Sequence, residues 1–307
     1  MKLGFLTSCM PERSLEEVAT WAGANGYEAL ELAAWPRLGD RPFTASHITA
    51  EAFDEAEEER VRKALDDNGL TVSALAYYDN NLSPDPAERE EFHAHLRNCI
   101  DAAAALGGIP VGTFIGRDPG GIVAENLRDA ERIFPPLVEY AGERGVRLMI
   151  ENCVMEGWHP DGYPGNLAYS PELWEWMFSL GLYLNFDPSH LLWLGVDPLE
   201  ALRPYVEHVA HAHAKDAETF DRERNRFGFF GRVSTREEDP WDMGWWRYRI
   251  PGLGQVDFPR YVDTLYEAGF DGVLSVEHED PVWGGTPELV DAGLRIAHQN
   301  LRGLVVA

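Results

Sequence analysis

LYLNFDPSHLLWLGVDPLEALRPYVEHVAHAHAKD, residues 182–216, reads as one complete unit of a repeating plan. Leu182–Asp187 is a short, mostly apolar run of strand length that ends on polar residues. A short helix near Pro198–Tyr205 follows, and Pro198 suits the first turn of a helix. Val209–Lys215 is then a second strand. Two strands joined through a helix run parallel, because the crossover returns the chain to the same end of the sheet.

The same alternation extends in both directions. Upstream, Lys2–Ser8, Ala29–Ala33, Thr71–Tyr77, Ile109–Ile115 and Val146–Asn152 read as strands, and downstream so does Gly272–His278. Between them lie amphipathic stretches. Ser14 and Glu17 form a capping box for the first, which Gly26 ends. Others are Glu51–Asn68 closed by Gly69, Pro86–Leu106, Ile122–Glu143 interrupted at Pro135-Pro136, Pro171–Leu180 and Thr286–Leu301. About eight strand–helix units over 307 residues predict an α/β fold, a single (β/α)8 TIM barrel spanning 1–307. No GxGxxG follows the first strand, which removes the usual dinucleotide reading. Two long segments break the rhythm: Glu156–Ala168, and the Arg- and aromatic-rich insertion Ala217–Gln255 after the seventh strand. Structureless runs of that length serve as lids or subunit contacts.

Composition narrows the function classes. Lys+Arg 26 against Asp+Glu 52 gives a net charge of −26, which repels phosphate backbones and anionic membranes. Cys9, Cys99 and Cys153 form no CxxC and no even framework, so structural disulfides and thiolate zinc sites are not expected. The N-terminal apolar run soon meets Pro11, Glu12 and Arg13, unlike a signal peptide, and no apolar stretch reaches membrane-spanning length. A soluble, cytoplasmic protein is the expectation.

Barrel enzymes build their sites where strands end at the C-terminal face, so polar residues that terminate apolar runs carry the information. The fifth strand ends with Glu151, the sixth with Asp187 and then His190. The seventh ends with His211, His213 and Lys215, the eighth with Glu277 and Glu279. Period-two alternation puts His211, His213 and Lys215 on one face, and Glu277 with Glu279 likewise. Carboxylates from three strands would then meet one or two imidazoles and repel one another unless some protonate or share a cation. Mixed carboxylate and imidazole donors suit Mn²⁺, Mg²⁺, Co²⁺ or Zn²⁺. Each residue taken singly has a plainer reading: Asp187 can cap the helix after Pro188, and HAHAKD can be a buried strand with satisfied imidazoles.

IENC, NFDPSH, HAHAKD, GLGQVDF and DGVLSVEHED, in this order at these strand ends, resemble the sugar phosphate isomerase/epimerase family. That family has xylose-isomerase-like barrels and includes ketose 3-epimerases, inosose dehydratases and endonuclease-IV-like proteins. The resemblance implies one divalent ion held by Glu151, Asp187, His213 and Glu277, with Mn²⁺ expected ahead of Mg²⁺, Co²⁺ and Zn²⁺. It implies that Glu151 and Glu277 are the catalytic acid/base pair and that His190 contacts substrate. A divalent ion on two adjacent substrate oxygens would stabilise an enediolate as a proton moves next to a carbonyl. Lys215 and Arg249 are candidate hydrogen-bond donors to substrate, and Glu31, Asn80 and Arg117 follow strands two, three and four at the same mouth.

The chain also departs from the ketose 3-epimerases. Where they place an Arg six residues after the metal His stands Thr219, and Ala217–Gln255 is much longer than their segment. HAHAKD is more similar to members acting on inositol-type or keto-sugar substrates, where proton abstraction continues to β-elimination. The leading expectation is a metal-dependent isomerase or epimerase on a carbohydrate or polyol, with a lyase on an inosose, a 3-keto sugar or a keto-glycoside as the alternative. An endonuclease-IV-like enzyme ranks lower, since the acidity disfavours DNA. The cluster Phe227, Phe229, Phe230, Trp241, Trp245, Trp246 and Tyr248 is read as sugar-packing faces or, slightly preferred, as a lid or the interface of a homodimer or homotetramer.

Overall fold

A computed structural model describes residues 1–36, 45–158, 163–229 and 243–306. Its strands are β1 (Lys2–Leu6), β2 (Ala29–Ala33), β3 (Thr71–Ala76), β4 (Val111–Thr113), β5 (Leu148–Glu151), β6 (Tyr183–Phe186), β7 (Val209–Ala214), β8 (Asp216–Thr219), β9 (Trp246–Arg249) and β10 (Val273–Val276). β1 to β7 and β10 pair in parallel and close into a barrel, with β10 between β7 and β1. The expected eight-stranded TIM barrel is therefore present, and β8 and β9 stand apart as a two-stranded sheet.

Helices cover the outside, and their boundaries follow local chemistry. The first, Leu15–Ala24, begins at the Ser14–Glu17 capping box and packs Leu15, Val18, Ala19 and Ala22 inward. The stretch expected as Glu51–Asn68 is a 3₁₀ turn, Ala50–Ala52, followed by a helix over Glu55–Asp66. Its start is moved by Asp54, whose carboxylate accepts from the amides of Ala56 and Glu57. The expected break at Pro135-Pro136 does not occur: one helix runs from Val123 to Gly142. Both prolines are exposed, as are Glu131 and Arg132, whose carbonyls lose their partners and can turn to water.

The insertion after β7 is more regular than expected. β8 pairs antiparallel with β9, from Asp216 opposite Arg249 to Thr219 opposite Trp246. A short helix, Asp221–Phe227, lies between them. Residues 230–242 are outside the described residues, so Phe230 and Trp241 are not placed. Trp245, Trp246 and Tyr248 are buried within the chain, in a cluster with Val154, Trp193 and Ala217. Trp193 stacks on Trp246 with centroids 4.4 Å apart. Those three aromatics thus form an internal cluster; of the same set, Phe229 is exposed.

Two buried carboxylates hold this hairpin and the following loop against the barrel. Asp216 accepts the amides of Ala217 (2.8 Å), Gly252 (3.0 Å), Gly254 (2.9 Å) and Val256 (2.9 Å). A Cβ at position 254 would lie 2.3 Å from Asp216 Oδ1, so only glycine lets the loop come this close. Asp280 accepts from the Ile250 amide (2.9 Å) and from Arg249 Nε (3.0 Å).

Ala74, Met149 and Ala210, on three of the strands, form a small apolar cluster apart from the main core. The strands also bury the polar residues Glu31, Ser73, Asn185, His211, His213 and Ser275. Such a buried set is stable only when its groups satisfy one another, and most do, as described next. Among the described residues no helix is long and apolar enough to cross a membrane.

Candidate active site

Four of the eight barrel strands contribute one side chain each. β5 ends in Glu151, β6 runs into Asp187, β7 carries His213 and β10 runs into Glu277. A donor atom from each of these four lies within 4.8 Å of the others. Glu151 Oε1, Asp187 Oδ2 and His213 Nδ1 are buried without a hydrogen-bond partner. Buried polar atoms rarely stay unpaired. Three such atoms facing one point, with Glu277 beside them, fit a divalent cation with oxygen and imidazole ligands.

The ligand-type atoms are aimed by other groups. Glu31 Oε2 lies 2.9 Å from His213 Nε2, which turns Nδ1 toward the three carboxylates. The Glu31 carboxylate also accepts from Tyr78 (2.9 Å) and Ser275 (2.9 Å). Tyr78 can reach inward because residue 112 is glycine: a Cβ there would sit 2.5 Å from the Tyr78 hydroxyl. Asp187 does two jobs. Its Oδ1 caps the following helix through the Ser189 amide (2.8 Å), which leaves Oδ2 for the cluster. Asn152 holds the tip of β6 to β5, donating to the Asp187 carbonyl (2.8 Å) and accepting the Asp187 amide (2.7 Å). Asn166 ties the loop after β5 down through the carbonyls of Glu151 and Cys153.

The electrostatics separate the acids. Burial pushes Glu151 up, but His190, His213 and Lys215 outweigh it and hold it at about 2. Burial raises Glu277 to about 7, helped by the neighbouring Glu151 charge. Asp187 is held well below its usual range: burial opposes ionisation, and Lys215, His190 and His213 more than offset it. Lys215 is buried, with Nζ 2.8 Å from Glu277, 3.2 Å from Asp187 and 3.3 Å from Glu279. Burial favours its neutral form, yet Glu277, Glu279 and Asp187 keep it charged. His190 Nε2 faces Asp187 Oδ2 at 3.2 Å and Glu151 Oε1 at 3.4 Å.

Of the residues read from the sequence, Glu151, Asp187, His190, His213, Lys215 and Glu277 come together. Glu31 sits behind His213 with its oxygens engaged. Arg249 is anchored by Glu218 (2.6 Å) and Asp280 (3.0 Å). Asn80 and Arg117 join the loops after β3 and β4: Asn80 donates to the Arg117 carbonyl, and Arg117 donates to the carbonyls of Pro164 and Gly121. The structure does not bring these last three to the four-residue cluster. His211 takes the plainer role, bonded to Asn185 (3.1 Å) and Ser73 (3.1 Å) and lowered by burial to about 4. Asn185 and Ser275 were missed by the sequence reading, although each lies two residues before an acid of the cluster and so on its face of the pleat. Tyr78, Asn152 and Asn166 act from outside the regular strands, where no periodicity points to them.

Residues 19–299 match the family model described as the xylose isomerase-like TIM barrel. The chain belongs to that family. This xylose isomerase-like barrel is 28% identical to YfiH, an uncharacterized protein of Bacillus subtilis strain 168, over 98% of each chain. It is 33% identical to an inosose dehydratase of Clostridium perfringens over 104 residues, about a third of each protein. Among solved structures, a D-psicose 3-epimerase crystallised in the presence of D-fructose superposes with a TM-score of 0.69 over 99% of both chains. At 16% identity that likeness speaks for the fold alone. The xylose isomerase-like barrel thus has both epimerases and dehydratases among the proteins it resembles.

Proposed function

We propose that this chain is a divalent-metal-dependent isomerase or epimerase of a sugar, polyol or keto-sugar, working by proton transfer at a carbon next to a carbonyl. The observation that carries this reading is the convergence of Glu151 Oε1, Asp187 Oδ2 and His213 Nδ1, buried and without hydrogen bonds, beside Glu277. These four residues would hold the ion. When bound, a divalent cation supplies a Lewis acid against negative charge developing on substrate oxygens.

The chain's own groups supply the rest. Two carboxylates in one pocket whose proton affinities are driven apart suit an acid and a base. When no ion is bound, His190, His213 and Lys215 hold Glu151 ionised while burial and repulsion from Glu151 raise Glu277, and we assign Glu151 to take the proton and Glu277 to return one. Lys215 and His190 present N–H donors to substrate oxygens. Trp193, Trp246 and Tyr248 wall off the site beside His190, which limits water and strengthens each polar contact.

Lys215 also favours a second reading, elimination. A charged, buried ammonium 2.8 Å from Glu277 can protonate a departing hydroxyl once the neighbouring carbon has lost its proton. The similarity to an inosose dehydratase supports the same reading. An assay on free ketoses, inososes and 3-keto-glycosides separates the two: elimination yields an enone absorbing in the near ultraviolet, epimerisation does not. Failure of the metal-supplemented protein to turn over any member of these classes would remove both readings.

A further inference from the structure

A cavity of about 240 Å³ lies near the site without being lined by any of its four converging residues. It is bordered by the segment that follows β1 and by the start of the last helix, Pro287–Leu301, the one after β10. Met10, Pro11, Pro287 and Val290 give it apolar walls, and Arg13 and Asp291 border it as well. Both segments leave the barrel at the face that carries the cluster. β1 and β10 pair from Lys2 opposite Val273 to Phe5 opposite Val276, and one more step of that register sets Leu6 level with Glu277. Cys9, three residues past Leu6, also borders the cavity. Burial raises its thiol to about 12 against the pull of Arg13, and the charges of Asp291 and Glu277 add to the rise.

Polar side chains of the wall are engaged within the chain. Arg13 Nη2 donates to Asp291 Oδ2 at 3.0 Å, and Nη1 lies 2.9 Å from Oδ1. The Thr286 hydroxyl accepts the Leu289 amide as the helix cap (3.3 Å), and the Cys9 thiol donates to the Leu6 carbonyl (3.4 Å). With Arg13 already paired and Glu12 adding negative charge, the lining disfavours a phosphate. A second sugar would give up hydrated hydroxyls for few partners. A flat apolar ring has no such loss, and it can stack on the guanidinium. The size agrees: about 150 Å³ of apolar cavity holds benzene, so about 240 Å³ takes one ring with its link to a sugar.

We propose that this cavity is a subsite for the non-reacting part of the substrate, a flat apolar aglycone whose attached keto-sugar occupies the Glu151–Asp187–His213–Glu277 cluster. This rests on the proposed function, and it narrows the substrate from free sugars to aryl glycosides. Binding energy gathered on the aglycone, away from the reacting carbon, would orient the sugar.

The test compares phenyl with methyl D-glucopyranoside, both anomers of each, on Mg²⁺-loaded protein. These glycosides lack the keto group, so binding is read without turnover. Calorimetry should show the phenyl glycoside bound about tenfold tighter or more, the worth of burying much of one ring. Val290→Trp, which fills the cavity, should remove that advantage and leave the methyl glycoside unchanged. In the wild-type protein, the methyl resonances of Met10 and Val290 should shift with the phenyl glycoside and not with the methyl one, a reading that needs no variant to fold. Equal affinities, no binding of either glycoside, unmoved Met10 and Val290 resonances, or a phenyl advantage that survives in Val290→Trp overturns the subsite. Turnover of free keto-sugars without a phenyl advantage removes the subsite and keeps the proposed function. A phenyl advantage without turnover of any keto-sugar or keto-glycoside keeps the ring-binding cavity and removes the reaction.

Discussion

Glu31 on β2 and His213 on β7 meet across the barrel, carboxylate Oε2 to imidazole Nε2 at 2.9 Å, although 182 residues separate them in the chain. The contact decides which nitrogen His213 offers to the cluster.

Replacing Glu31 with Gln keeps the volume and removes the charge that holds Nε2–H. Affinity for the divalent ion should fall about 10- to 100-fold, the usual cost of losing a carboxylate behind a metal-binding imidazole. Calorimetric titration of the metal-free protein reads this directly. An unchanged affinity would mean that His213 is oriented by its other neighbours.

Removing the ion should destabilise the protein, because Glu151, Asp187 and Glu277 are left crowded at one point. Elemental analysis should find about one divalent ion per chain, and dialysis against a chelator should lower Tm, with recovery on adding Mn²⁺. A chain with no ion after supplementation and an unmoved Tm counts against the metal centre as a whole.

Glu277→Gln is expected to lower turnover at least about a hundredfold, the scale of a lost general acid or base. The fold should persist, since Glu277 stands past the end of β10 and its removal relieves repulsion with Glu151. Circular dichroism and product analysis on the same sample check both parts. Near-native turnover would sink the acid/base assignment.

Gly112→Ala tests the inner network rather than the cluster. The new methyl would lie 2.5 Å from the Tyr78 hydroxyl, so Tyr78 must withdraw from Glu31. Overpacking of this kind costs about 1–3 kcal/mol, and metal affinity should weaken with it as Glu31 loses a partner. Chemical denaturation gives the stability. A neutral substitution would show that the ring has room to move.

One of the two histidines on the outer helix Pro86–Ala105, His93, predicts a pH dependence. Burial lowers His93 below its ordinary value near 6.5, while Nε2 keeps a contact with the Asn81 carbonyl at 3.0 Å. The unfolded chain therefore binds a proton at a higher pH than the folded one. Its contribution to stability is complete above about 6.5 and declines as pH falls from there toward the folded value. Urea midpoints should drop on acidification, and drop less in His93→Gln. Equal drops in both proteins would remove His93 as a cause.

The barrel and the cluster were legible for the same reason: strand pattern and strand ends are local features. Ser14 with Glu17, the apolar run Ala29–Ala33, and Glu151, Asp187, His213 and Glu277 at strand tips each announce themselves within a few residues. What was not legible depends on distance. The job of Glu31 is set by a partner on another strand, and β8 finds β9 across the intervening insertion, so neither shows in a local window. Asp187 showed that two readings can both hold, since one carboxylate has two oxygens. Pro135 and Pro136 misled because the rule against proline within a helix assumes that the orphaned carbonyls are buried, and here they face outward.

The polar filling of the cylinder has a consequence for anyone redesigning this molecule. In a barrel filled with aliphatic side chains, stability can be raised by repacking while the chemistry on top is left alone. Here Glu31, Tyr78, Ser275 and His213 belong to one connected web, so the same bonds support the wall and steer the ligand set. A combinatorial library aimed inside would therefore lose folding and activity in the same clones, whereas new substrate preferences should be sought in the outer loops.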